Sequence, residues 1–187
     1  MRAFVAIDIP EEIRRRIVDL LQALQPTTNS VRWTRPEGLH ITLKFLGEVP
    51  PEQIEAVKAQ LASIRLPVPL PLQVRDAGYF PNERSHRVIW LGIAAGPELA
   101  ELAGRVEENL AAVGIPREDR PFSSHLTLGR LRTPDRIPAV KELLRRREPL
   151  EFGSFTAEEF YLYESQLSPR GSTYRKIARF PIAAASC

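Results

Sequence analysis

Ala3, Val5, Ile7 and Ile9 place an apolar residue at every second position of the opening stretch "RAFVAIDI" (residues 2–9), a period of two that predicts a strand. The period then lengthens. In "PEEIRRRIVDLLQALQ" Ile13, Ile17, Leu20, Leu21 and Leu24 recur at helical spacing behind a proline and two glutamates, which predicts an amphipathic helix with an acidic first turn. The polar segment "PTTNSVRWTRPEG" reads as a loop. Beyond it "LHITLKFLGEV" reads as a strand, "PPEQIEAVKAQLASI" as a helix with Ile54, Val57, Leu61 and Ile64 on one face, and "LPLQVRDAGYF" as extended chain.

The second half runs through the same series. "RVIWLGIA" predicts a strand, and "GPELAELAGRVEENLAAVG" a helix in which Leu99, Leu102, Val106 and Leu110 keep the spacing. A loop, "IPREDRPFS", leads to the strand pattern "HLTLGRL". It is followed by the helical "DRIPAVKELLRRRE", the extended "LEFGSFTAEEFYLYES" and a last strand pattern, "STYRKIARFPI". "IEAVKAQL" from Ile54 and "IPAVKELL" from Ile137 agree at most positions. The expectation is an α+β fold of two βαβαβ-like repeats, residues 1–84 and 85–187, in one bilobal domain with two mainly antiparallel sheets around a central cleft and a final strand free to cross between lobes.

A strand period also sorts the side chains of the two "H-x-T-L" tetrapeptides. His40 and Thr42 project to one face and Leu39, Ile41 and Leu43 to the other; His125 and Thr127 stand opposite Leu126 and Leu128 in the same way. Two of the three histidines thus occupy equivalent points of an internal repeat. Lobes packed about a pseudo-twofold axis would face both imidazoles into one cleft. One neutral and one protonated imidazole suit general base and general acid catalysis, and each threonine offers a hydroxyl to a phosphoryl oxygen. A cyclic phosphodiester fits, because water can enter from one histidine while the other protonates the departing sugar oxygen in line. That chemistry calls for no metal and no cofactor.

The duplicated motifs and the segments "RAFVAIDIP", "HITLKFLGEV", "HRVIWLGI", "FSSHLTLGR" and "ESQLSPRGSTYRKIARFPI" resemble the 2H phosphoesterase superfamily. They are most similar to its RNA 2′,3′-cyclic phosphodiesterases, also called 2′-5′ RNA ligases. The resemblance implies a bilobal fold with both histidines in a central cleft, and opening of a terminal 2′,3′-cyclic phosphate to leave the phosphate on the 2′ oxygen. It also implies 2′-5′ ligation by the reverse chemistry without a nucleotide cofactor. Carried over by position, His40 with Thr42 and His125 with Thr127 form the two motifs; by analogy His125 is assigned as the base and His40 as the acid, and exchanging the two roles changes no expectation drawn from the sequence. Ser124 departs from the proline usual before the second histidine.

Other candidates divide between site and scaffold. Arg130 stands where relatives often carry arginine and could clamp a phosphate, yet an unbroken strand would turn it away from His125, so it needs a bulge or turn near Gly129. Lys44 shares parity with Thr42 but reads as solvated, His86 as a surface residue, and Ser124 as facing away from His125. Two histidines fall short of a zinc ligand set, with Asp8 the only nearby third group. "SPRGSTYRK" reads either as a basic hairpin or as a contact for RNA phosphates. Trp33, Phe45, Phe80, Phe122 and Tyr163 are available for stacking a base or for the core.

Composition changes this picture little. The net charge of +3 suits a phosphate-bearing partner without requiring one. No apolar run reaches membrane-spanning length, and Asp8 with "PEEIRRR" stands where a signal peptide would have its cleavage site. The single cysteine, Cys187, leaves no partner for an intramolecular disulfide. A cytoplasmic monomer acting on RNA ends or related nucleotides is the expectation. The alternative is a module that holds an RNA end or nucleotide without turnover.

Overall fold

The computed structural model describes residues 1–184, and Cys187 lies outside the described residues. The elements are β1 (Arg2–Asp8), α1 (Glu11–Leu24), β2 (Val31–Trp33), β3 (His40–Glu48), α2 (Pro51–Ala62), β4 (Leu70–Pro81), β5 (His86–Ala95), α3 (Pro97–Ala111), β6 (His125–Leu131), α4 (Pro138–Arg146), β7 (Glu151–Ala157), β8 (Glu159–Ser168) and β9 (Gly171–Pro181). The strands make two antiparallel sheets, ordered β3-β1-β8-β9 and β2-β6-β5-β4-β7. This is the α+β arrangement that the pattern predicts.

The halves are joined more deeply than by one crossing strand. In each sheet a histidine-bearing strand (β3 or β6) pairs with the opening strand of its own half (β1 or β5). The next strand comes from the other half: β8 beside β1, and β4 beside β5. Neither half completes its own sheet.

The helical stripes read from the sequence are the buried faces. Ile13, Ile17 and Leu24 of α1, Val57 and Leu61 of α2, and Leu102, Val106 and Leu110 of α3 join one hydrophobic core with Ile41, Leu43, Leu126 and Leu128 from the two motif strands. Burial of a full aliphatic side chain contributes roughly 1.5–3 kcal/mol, so this core fixes which face of β3 and β6 turns inward. The opposite face of the first sheet carries a separate cluster of Phe4, Ala6 and Tyr163.

The structure corrects several local expectations. Part of the "PTTNSVRWTRPEG" loop is the three-residue strand β2, too short to show a period and formed because the edge of β6 accepts it. The single extended stretch 150–165 is two strands, β7 and β8, parted at Glu158 and sent to different sheets. His86 is not a surface residue. It is 7% exposed, with Nδ1 3.1 Å from the Glu83 carbonyl and Nε2 2.6 Å from that of Asp135.

Lys44 is likewise buried rather than solvated. The pairing of β1 with β3 shifts register: Val5 partners Lys44 but Ala6 partners Thr42, so Leu43 is passed over and the alternation of side chains reverses beyond it. The Lys44 ammonium donates to Glu107 Oε1 at 2.7 Å and to the Pro116 carbonyl at 2.9 Å. Truncating one partner of a buried ion pair strands the other charge in a low dielectric. Glu107→Ala should therefore lower the unfolding free energy in urea by about 2–3 kcal/mol. Lys44→Met, which removes the charge and keeps an unbranched stem, should cost less in the same measurement.

Candidate active site

His40 and His125 are the first residues of their strands. Both are half-buried, as are Thr42 and Thr127, while the leucines and isoleucine between them are in the core. The two motif strands pack against each other. The segment from β2 to β3 ties them together: the Thr34 amide donates to the Leu128 carbonyl at 2.8 Å and its hydroxyl to the Thr127 carbonyl at 2.9 Å. A tight turn at Pro36–Gly38 then delivers the chain to His40. Gly38 is wedged in this seam, where a Cβ would lie 3.0 Å from the Tyr174 ring and 3.2 Å from Thr34.

His40 is held in an aromatic stack. Phe4 lies face to face with it at 4.8 Å between centroids, Tyr163 at 5.5 Å, and Tyr174 meets it edge-on at 5.4 Å. Asp8 is its cross-strand partner. The Asp8 carboxylate accepts from Arg14 at 2.8 Å and from the Lys176 ammonium at 2.8 Å, and Arg14 also reaches the carbonyls of Pro36 and Leu39 at the entry to β3. Burial pushes the His40 pKa down to about 4, with Asp8 acting to raise it and Arg14 to lower it further. Beside it an open groove of about 640 Å³ is lined by Asp8, Arg14, Glu37, Tyr163, Tyr174 and Lys176, among others.

His125 is oriented differently. Its Nδ1 lies 2.9 Å from the Ser123 carbonyl, which fixes the hydrogen there and leaves Nε2 with its lone pair. The Phe80 ring meets it edge-on at 5.0 Å and packs on Trp90. Burial lowers the His125 pKa below its ordinary value, opposed by the Ser123 hydrogen bond and assisted by Arg130. Ser124 is no partner for the ring, since its hydroxyl donates to the Ile93 carbonyl at 3.2 Å.

The second motif has its own register shift. Trp90 partners Thr127 and Ile89 partners Gly129, so Leu128 is passed over and Arg130, opposite Val88, returns to the face of Thr127. Of the aromatic candidates, Tyr163 and Phe80 flank the histidines, Trp33 and Phe122 pack on the core, and Phe45 is exposed. Lys176 and Tyr174 come from the "SPRGSTYRK" hairpin, and their spacing of two was the available signal that both share the cleft face. The Asp8–Arg14–Lys176 network had no such signal, because its members lie on β1, α1 and β9. Among the described residues no group of three or more His, Cys, Asp or Glu side chains is arranged to hold a metal.

Two antiparallel sheets built from duplicated halves, each with an H-x-T strand, describe a duplicated phosphoesterase fold. The LigT like Phosphoesterase family model matches the chain twice, over residues 7–90 and 91–174, and the chain belongs to this family. It is 36% identical over 180 residues to the RNA 2′,3′-cyclic phosphodiesterase of Archaeoglobus fulgidus, covering 96% of this chain and 99% of that protein. A crystal structure from Thermus thermophilus superposes with a TM-score of 0.81 at 33% identity, covering 97% of this chain and 98% of that one. E. coli LigT complexed with 3′-AMP superposes with a TM-score of 0.79 at 33% identity over 98% of each chain.

The lowered pKa values carry a sign that can be tested. A histidine whose folded pKa lies below its unfolded value favours the folded state above about pH 6.5, and that contribution is lost as pH falls toward 4. NMR titration should find the His40 ring neutral until near pH 4, and the stability gained by His40→Gln relative to the unsubstituted protein should grow as pH drops through this window.

Proposed function

We propose that the chain hydrolyses terminal 2′,3′-cyclic phosphates of RNA to 2′-phosphomonoesters by paired-histidine acid and base catalysis. What supports this reading is an H-x-T pair at the start of equivalent strands of the two halves, strands that pack against each other. The names of the curated relatives support the substrate, and the 3′-AMP complex of E. coli LigT supports a nucleotide-sized cleft.

In this reading the His125 Nε2 takes a proton from water, whose oxygen bonds to phosphorus. The bond from phosphorus to the 3′ oxygen breaks, and that oxygen receives a proton from His40, leaving a 3′-hydroxyl and a 2′-phosphate. The Thr42 and Thr127 hydroxyls and Arg130 take the non-bridging oxygens, where charge accumulates. A 5′-hydroxyl in place of water gives a 2′-5′ linkage by the same bond changes, so 2′-5′ ligation is the companion activity. His40 is neutral at pH 7 in the empty cleft, and the phosphodiester anion raises its pKa on binding. Substrate binding therefore takes up a proton. No metal or cofactor enters the scheme, and a cytoplasmic monomer acting on free RNA ends belongs to the same reading.

A purified sample should open adenosine 2′,3′-cyclic phosphate in the presence of a chelator, and His40→Ala and His125→Ala should each lose at least ~10²-fold in kcat. Substrate recovered intact yet bound would instead favour the module without turnover. A diester with a p-nitrophenolate leaving group needs no acid, so it should restore most of the rate to His40→Ala and little to His125→Ala. The opposite pattern exchanges the two roles.

A further inference from the structure

Three strand arginines stand opposite a glutamate on the neighbouring strand: Arg2 faces Glu48, Arg75 faces Glu151 and Arg175 faces Glu164. Arg32 breaks this pattern, because its partner across β2 and β6 is Arg130. Like charges directly opposite one another cost stability. Both side chains are exposed, and among the described residues neither guanidinium has a carboxylate within ion-pair distance.

The pair lies on the face of the second sheet that carries His125 and Thr127. Val31 and Trp33, on either side of Arg32, pack on the core, so Arg32 is turned the other way. Arg130 joins it there through the register shift at Leu128. The Thr34 hydroxyl, donating to the Thr127 carbonyl at 2.9 Å, holds the end of β2 to the second motif itself. Two guanidiniums are thus fixed side by side along the strand of the candidate base, without a counter-ion of their own.

A terminal 2′,3′-cyclic phosphate carries one negative charge, and Arg130 meets it in the chemistry above. A second guanidinium beside Arg130 has a second anion to meet when the substrate continues as a polynucleotide. We propose that Arg32 binds the phosphodiester joining the terminal nucleotide to the one before it, so that the site favours RNA ends over cyclic mononucleotides. This rests on the cyclic-phosphodiesterase reading and extends it from the terminal phosphate to the strand behind it. Neighbouring strands lie about 4.8 Å apart, so two long arginine side chains reach successive phosphates without movement of the sheet. The contact fixes the position of the RNA and reads no base.

Arg32→Gln should raise KM for the dinucleotide adenylyl-adenosine 2′,3′-cyclic phosphate about three- to tenfold and leave KM for adenosine 2′,3′-cyclic phosphate unchanged. Added salt should raise KM for the dinucleotide less steeply in Arg32→Gln than in the unsubstituted protein, since one phosphate contact is gone. Equal changes for both esters, or no change for either, would overturn the proposal. The urea midpoint of Arg32→Gln should not fall, because the substitution removes a repulsion; a fall would mark a scaffold role and overturn it as well. Binding of the two products, each ending in a 2′-phosphate, is measured by calorimetry independently of turnover. Weaker binding of the dinucleotide product alone in Arg32→Gln, with neither ester opened by the unsubstituted protein, would leave the phosphate contact standing and reject the catalytic reading. Turnover of both esters with product affinities untouched by the substitution would do the reverse.

Discussion

The pleat of a β-strand allows only two directions for a side chain, and the candidate site depends on how the motif strands use that restriction. Leucine and isoleucine bury one face of β3 and β6 against the helices, which obliges His40, Thr42, His125 and Thr127 to face the other way. The core thereby determines the aim of the polar groups. Where the alternation is broken just beyond each threonine, the break adds a fifth residue to the exposed face: a phenyl ring in one half, a guanidinium in the other.

The same pleat gives the two histidines different surroundings. His40 lies among aromatic rings, beside a carboxylate already shared by Arg14 and Lys176, so little remains to stabilise a charged imidazolium before an anion arrives. His125 has a backbone carbonyl fixing one nitrogen, a hydrogen bond that favours the protonated ring. Equivalent positions in a duplicated chain have thus become electrostatically unequal.

Much of this was legible in the sequence because it rests on period. The helical faces and the facing of the H-x-T pairs follow from counting residues, and the repeat shows that two such pairs exist. Register shifts are not legible that way. Lys44 was expected in solvent because strict alternation puts it beside Thr42, and only the pairing with β1 reveals the skipped residue. His86 has no periodic signature at all, since its two carbonyl contacts come from neighbouring loops. Similarly, β2 exists only because β6 has an edge to offer, and the cations around Asp8 are brought together from distant parts of the chain.

The exchange of β4 and β8 between sheets has a consequence for how the protein is made. β1 is made long before β8, yet its Ala3 pairs with Glu164 across most of the intervening sequence. Contacts so far apart are slow to form, and an unpaired strand edge attracts foreign strands meanwhile. β8 must be made before that edge is covered, which makes the nascent chain, rather than the folded molecule, the form most exposed to aggregation.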